Sequence, residues 1–178
     1  INVFTGILST AYASFIVAGL TEEFFKRAVV VYSVYNDENF NEKLDGVVYA
    51  VFSALGFATI ENIMYVVFRF TGTYYVGIIR GLLSVPGHML FGITMGYYLS
   101  LTKYTENPRL KSHYYRMSLA IPTILHGLFN FILMAQIPIL MVVFIPYVIY
   151  LWINNLRKLS LYTKDSRNKH NRIRDSEE

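Results

Sequence analysis

The stretch YASFIVAGLTEEFFKRAVVVYSVY, residues 12–35, has the length of a membrane-spanning helix and four charges at its middle: Glu22, Glu23, Lys26 and Arg27. An ionised side chain at the centre of a bilayer costs about 2.5–3.5 kcal/mol even on lenient insertion scales. Charges kept at such a position must face protein or water rather than lipid. If the rest of the sequence is also membrane-embedded, the four charges mark a buried polar site.

The composition supports that condition. Of 178 residues, 54% are hydrophobic and only 16% charged, with a mean hydropathy of +0.37. Soluble domains carry about a quarter charged residues. The charges are also clumped, mostly into 36–46, 102–116 and 157–178, and apolar segments run between the clumps. About 20 helical residues cross the hydrocarbon core. Five such segments occur, at about 12–35, 47–70, 77–101, 117–135 and 138–156. They lack the period-two alternation of barrel strands, and in lipid only helices and closed barrels satisfy the backbone. The fold class is therefore all-α, a polytopic transmembrane helical bundle. Residues 1–156 form its membrane-embedded domain and 157–178 a basic tail, expected to be solvated, partly disordered and attracted to anionic lipid headgroups. The first ten residues, INVFTGILST, read as the end of an earlier apolar segment, so further spans are expected upstream. No basic n-region or small-residue cleavage site marks a signal peptide. With no cysteine, disulfides and thiolate metal sites are excluded. Membrane lipids are expected partners and nucleic acid is not.

Positive residues set the orientation. Lys103, Arg109, Lys111 and Arg116 lie in 102–116, and seven Lys or Arg residues lie between Arg157 and Arg174. Two spans separate these regions, so both are expected on the cytoplasmic side, with TGTYY (71–75) outside.

Depth is the most informative property. The midpoint of 12–35 falls at Glu23, that of 47–70 three residues from Glu61, that of 77–101 beside His88, and that of 117–135 at His126. Four spans thus place an ionisable group within about one helical turn of the midplane, since each residue rises about 1.5 Å. Glu22 with Lys26 and Glu23 with Arg27 are i,i+4 pairs, so each carboxylate is expected to have a cation one turn away. Phe57, Glu61 and Tyr65 share a face, with Asn62 turned about 100° away. Arg80, Ser84, His88, Gly92 and Gly96 recur every four residues, and the small ones admit a close neighbouring helix. His126 and Asn130 are again i,i+4. Pro86 and Pro122, just before the two histidines, remove a backbone hydrogen bond each and favour kinks. Val30 is expected on the lipid face.

Glu and His at one buried point can activate water as general bases. His126 with Asn130 can donate to an oxyanion. Metal-assisted hydrolysis by His and Glu ligands is equally open, although neither HExxH nor G-x-S-x-G is present. Both routes lead to hydrolysis of an amide within the membrane. A proton- or ion-coupled transporter or channel using a midplane Glu/His relay is the alternative, but no internal repeat supports it.

EEFFK (Glu22, Glu23, Lys26), FATIEN (Phe57, Glu61, Asn62), RGLLSVPGH (Arg80, His88) and HGLFN (His126, Asn130) occur in this order over roughly residues 15–135. The set resembles the motifs of PrsW-type intramembrane proteases, within the broader group of CAAX-processing and abortive-infection proteins. The resemblance implies an intramembrane endopeptidase of the cell membrane that makes the first cut in a single-pass anti-sigma factor, releasing a sigma factor for stress transcription. It implies Glu22, Glu23, His88, His126 and Asn130 as catalytic residues, with Lys26, Glu61, Asn62 and Arg80 in support. A divalent metal such as zinc, if used, would take Glu22, His88 and His126. CAAX-processing relatives carry His in the comparable second motif, so their roles do not transfer cleanly to Glu61.

Overall fold

A computed structural model describes residues 3–69 and 74–177, and every regular element among them is helical. The order is α1 (Val3–Tyr12), a π-helical stretch (Ala13–Leu20), α2 (Thr21–Ser33), α3 (Lys43–Met64) with a π-helical continuation (Tyr65–Arg69), α4 (Tyr74–Tyr104), α5 (Pro108–Ala135) and α6 (Pro138–Glu177). Four helices are long and apolar enough to cross a membrane: Lys43–Phe68, Gly77–Tyr104, Pro108–Ala135 and Pro138–Arg172. The fifth expected span, 12–35, lies in the continuous helical run from Val3 to Ser33 and is not one of these four. Tyr12 stays in the right-handed helical region at the junction, so α1 runs without a break into the π-helical stretch. The TGTYY loop lies largely outside the described residues.

Several boundaries shift for identifiable reasons. The basic loop 102–116 contracts to Thr105–Asn107. Asn107 caps α5, its Oδ1 accepting from the backbone N–H of Arg109 (3.0 Å) and Leu110 (3.3 Å), and Pro108 follows at the first helical position. Between α2 and α3, the Asp37 carboxylate accepts from the backbone N–H of Asn39 at 2.8 Å, which holds it below its usual carboxylate range. Glu42 and Asp45 form a reciprocal capping box at the start of α3. Gln136, at φ 51°, ends α5 in the left-handed region.

The segment expected to be partly disordered is helical to Glu177. Its stop was placed at 156 because the hydropathy falls there, but an apolar stripe continues on one face. Tyr162 is buried, stacks on Tyr97 with ring centroids 5.1 Å apart, and donates to the Tyr97 carbonyl at 3.2 Å. Beyond it, Asp165 pairs with Lys43 (2.8 Å), Lys169 pairs with Glu42 (3.5 Å), and Ser166 hydrogen-bonds Glu42. The end of α6 is thereby fastened to the start of α3.

Small residues bring α3 and α4 together. Gly46, Ala50, Ala54 and Ala58 recur every four residues along α3 and are all buried. They meet Gly92, Gly96 and Ser100 of α4: a Cβ on Gly92 would come 2.9 Å from Ala54 Cβ and 3.0 Å from the Ala50 carbonyl oxygen. On Gly96 a Cβ would collide with the Gly46 carbonyl. A second close approach joins the π-helical stretch to α5, where a Cβ on Gly19 would lie 3.0 Å from the Thr123 carbonyl oxygen, one turn before His126. Without a hydrophobic drive between helices in lipid, such packing is a main source of cohesion.

On α2 the charged site faces inward and large apolar side chains face outward. Glu23, Lys26 and Val30 are buried while Phe24, Phe25 and Val29 are exposed. Val30 therefore faces inward, against Ala50, Met95 and Leu99, and not lipid as expected. It stands seven residues from Glu23 and so shares its face.

Gly96→Ala is expected to destabilise the protein by about 1–3 kcal/mol, the range for overpacking a tight contact. Gly81→Ala, where a Cβ meets nothing within 4 Å, should be neutral or slightly stabilising. Thermal unfolding in detergent compares them; equal midpoints would remove the α3–α4 contact as the determinant of cohesion.

Candidate active site

The site is built from α2, α3, α4 and α5. The π-helical stretch immediately precedes Glu22 and Glu23, and its wider turn resets the face on which α2 presents them. π-bulges inside helices often accompany functional residues. From α2, Glu23 and Lys26 are fully enclosed, while the Glu22 side chain is 15% exposed. His88 and His126 are each 2% exposed, the first carried by α4 and the second by α5.

Lys26 joins the elements. Its Nζ donates to Glu23 Oε1 at 2.7 Å, to His88 Nδ1 at 2.7 Å and to Glu22 Oε2 at 3.5 Å. An ammonium has three donors, and all three are used. The Phe57 ring lies 4.8 Å from Nζ and closes the remaining side. The expected Glu22–Lys26 pair is thus the longest of three contacts. The expected Glu23–Arg27 pair does not form. Arg27 turns the other way, donating to Ser118 Oγ (2.8 Å) and the Tyr115 carbonyl (3.1 Å) and lying over the Tyr115 ring. Lys26, at i+3 from Glu23, holds that carboxylate instead.

Each imidazole is oriented by a carboxylate. His126 Nδ1 lies 2.9 Å from Glu23 Oε1, and His88 Nε2 lies 3.0 Å from Glu61 Oε2. An ionised carboxylate only accepts, so these two ring nitrogens carry the protons. The lone pairs then sit on His126 Nε2 and His88 Nδ1. His126 Nε2 faces Glu22 Oε2 at 3.8 Å. Arg80 anchors the second carboxylate, 2.8 Å from Glu61 Oε1, and lies 3.8 Å over the Tyr65 ring. Phe57, Glu61 and Tyr65 therefore share the inward face, as their spacing implied. The two rings stand edge to face with centroids 4.9 Å apart, and Phe91 stacks on His126 at the same distance.

One ligand atom from each of Glu22, His88 and His126 lies within 4.8 Å of the others. Two imidazole lone pairs and a carboxylate oxygen are a hard-to-borderline donor set suited to zinc or a similar divalent ion. Hydrogen bonds from metal-binding imidazoles to carboxylates are the usual outer support of such centres. Glu23 Oε2 is buried and has no partner of its own among the described residues. These residues fit a metal. The remaining expected members are peripheral: Asn130 is half-buried one turn beyond His126 and, among the described residues, makes no hydrogen bond to the cluster, while Asn62 Oδ1 is buried with no partner among the described residues. The exposed edge of the cluster is the Glu22, Glu61 and Arg80 side, where each side chain is 15–20% exposed.

With that geometry in place, comparison with known proteins becomes decisive. The profile described as PrsW family intramembrane metalloprotease matches residues 2–153. The chain belongs to the PrsW family. It is 44% identical to Protease PrsW of Clostridioides difficile (strain 630) over 167 residues, 93% of this chain and 70% of that protein. It is 38% identical to Protease PrsW of Oceanobacillus iheyensis over 146 residues, covering 82% of this chain and 65% of that protein. With Protease PrsW of Bacillus subtilis (strain 168) it shares 35% over 147 residues, 83% of this chain and 65% of that protein. The chain thus spans about two-thirds of its relatives' length. No solved structure matches. By class it is an intramembrane protease, a hydrolase, and the transport alternative gives way to this assignment.

Because Glu61 holds the His88 ring, Glu61→Gln is expected to cost about 10–100-fold in metal affinity or activity without unfolding the protein. Metal content and cleavage rate, measured together, check this. An unchanged variant would remove Glu61 as the group that orients His88.

Proposed function

We propose that the protein hydrolyses a peptide bond of a single-pass membrane protein within the bilayer, with Glu22, His88 and His126 as the reactive group. The observation that carries this reading is the pair of imidazole lone pairs, held by Glu23 and Glu61 toward one point beside Glu22. The likeness to PrsW proteases supports an anti-sigma factor as the substrate, with sigma-factor release and a stress response as the consequence. The Glu-Glu and His-x-x-x-Asn motifs support wider kinship with CAAX-processing and abortive-infection proteins.

In this reading Glu22, His88 and His126 would hold a divalent metal, zinc by donor type. Such a metal, when bound, polarises the scissile carbonyl and acidifies water to near neutral pH. Glu22 Oε1 takes the proton of the attacking water and passes it to the leaving amine. Glu22 suits this task because its side chain is partly exposed, whereas Glu23 is sealed by Lys26 and His126 and Glu61 is held by His88 and Arg80. Asn130, which makes no hydrogen bond to the cluster among the described residues, donates its amide to the carbonyl oxygen as charge develops there. The buried face of α2 excludes bulk water from the other side.

The basic residues around Arg109 and along 157–174 put these regions in the cytoplasm, with the Arg80 edge of the site toward the outside of the cell membrane. Residues 1–156 then form the protease domain and 157–178 a cytoplasmic extension. Introduced cysteines at Leu110 and Asn168 should resist an impermeant maleimide in intact cells, while one at Thr73 should react. Labelling at 110 from outside would overturn this topology.

The mechanism is tested by Glu→Gln changes assayed on a membrane-anchored substrate. Glu22→Gln removes the base and weakens a metal ligand together, so it should lower cleavage by at least about 10²–10⁴-fold, the contribution of a general base, and lower bound metal as well, with thermal stability retained. Glu23→Gln should cost about 10–100-fold through His126. Normal cleavage by the doubly substituted protein would defeat the mechanism.

A further inference from the structure

We propose that Lys26 is a tethered counter-cation that competes with the divalent metal for the same donors and leaves them when metal binds. This rests on the metal reading of the site given above. The mechanism assigns Lys26 no step, yet it is among the most buried side chains of the chain and its three donors meet Glu22, Glu23 and His88.

The argument is one of exclusion. His88 Nε2 is committed to Glu61, so Nδ1 is the only lone pair of that ring. An ammonium lies 2.7 Å from it, whereas a metal would need the same lone pair at about 2.0–2.1 Å. One sp² lone pair cannot serve both. Glu22 Oε2 is shared in the same way, facing Lys26 at 3.5 Å and His126 at 3.8 Å. Charge gives the reason for such a device. Glu22, Glu23 and Glu61 are concentrated in a site whose other cation, Arg80, pairs with Glu61 and, among the described residues, with neither of the other two carboxylates. Without metal and without Lys26, Glu22 and Glu23 would face each other uncompensated, which is strongly unfavourable away from water. A lysine suits the role: its charge is compact and its four-carbon stem flexible. The Phe57 face beside Nζ offers a cation–π resting place on withdrawal.

The test is a competition titration of the purified full chain in detergent, stripped by chelator, with zinc against a chromophoric chelator. Thermal unfolding is recorded with and without zinc. Lys26→Met should bind zinc about tenfold tighter or more, a charge-assisted contact no longer having to be broken. Its unfolding midpoint without metal should fall, and added zinc should restore it. Arg27→Met removes a charge from the next position without touching a donor, and should change zinc affinity by less than about threefold. Should Lys26→Met not be recovered without metal, Lys26→Gln, neutral and of similar length, carries the same expectation. Affinity unchanged or weakened at position 26, or tightened equally at 27, overturns the competition. Failure of the unsubstituted protein to bind zinc, manganese or cobalt would instead overturn the metal reading, and this proposal with it.

Discussion

The burial of charge in a low-dielectric bilayer is the constraint on which the arrangement depends. Lys26 cannot be satisfied by its own helix alone. It takes Glu22 and Glu23 from α2 and then requires His88 from α4. Each recruited group brings a need of its own. His88 calls for Glu61 on α3, Glu61 for Arg80 on α4, and Glu23 for His126 on α5. The polar network thus crosses four helices, and breaking one buried pair leaves an uncompensated charge costing about 3–5 kcal/mol. Close helix packing makes the network possible. The small-residue faces of α3 and α4, and of the π-helical stretch and α5, bring the backbones near enough for these side chains to meet.

The same network divides the work among three carboxylates. Glu23 and Glu61 each fix the tautomer and direction of one imidazole, whereas Glu22 keeps an oxygen free and partly exposed. Two adjacent residues of identical chemistry therefore acquire different roles from their surroundings. The two imidazoles are held through opposite ring nitrogens, so they offer Nε2 from one side and Nδ1 from the other. Such mutual locking is how an intramembrane site can be positioned before substrate arrives, and preorganisation of this kind is a large part of catalysis.

Much of this was legible in the sequence, for a physical reason. Lipid leaves few ways to place a charge, so the common depth of Glu23, Glu61, His88 and His126 already implied one site. The four-residue repeat of Arg80, His88, Gly92 and Gly96 likewise implied a close neighbour. What escaped was local competition and local geometry. Arg27 was assigned to Glu23 by i,i+4 spacing, but Lys26 holds that carboxylate and Ser118 and Tyr115 hold Arg27. No sequence signal announces the π-helical stretch, whose residues Ala13–Leu20 are ordinary apolar ones. Val30 was misplaced because its apolar character fits either face in a membrane. The helical end of α6 was missed because hydropathy falls at Arg157, while Tyr162, Asp165 and Lys169 still find partners.

The central claim is that hydrolysis depends on a metal held by the buried Glu–His cluster. The most direct measurement follows metal content and cleavage of a membrane-anchored substrate in the same sample during a chelator titration. Cleavage should fall in proportion to bound metal and return when metal is restored. Full cleavage by protein whose metal content has reached zero would contradict the account.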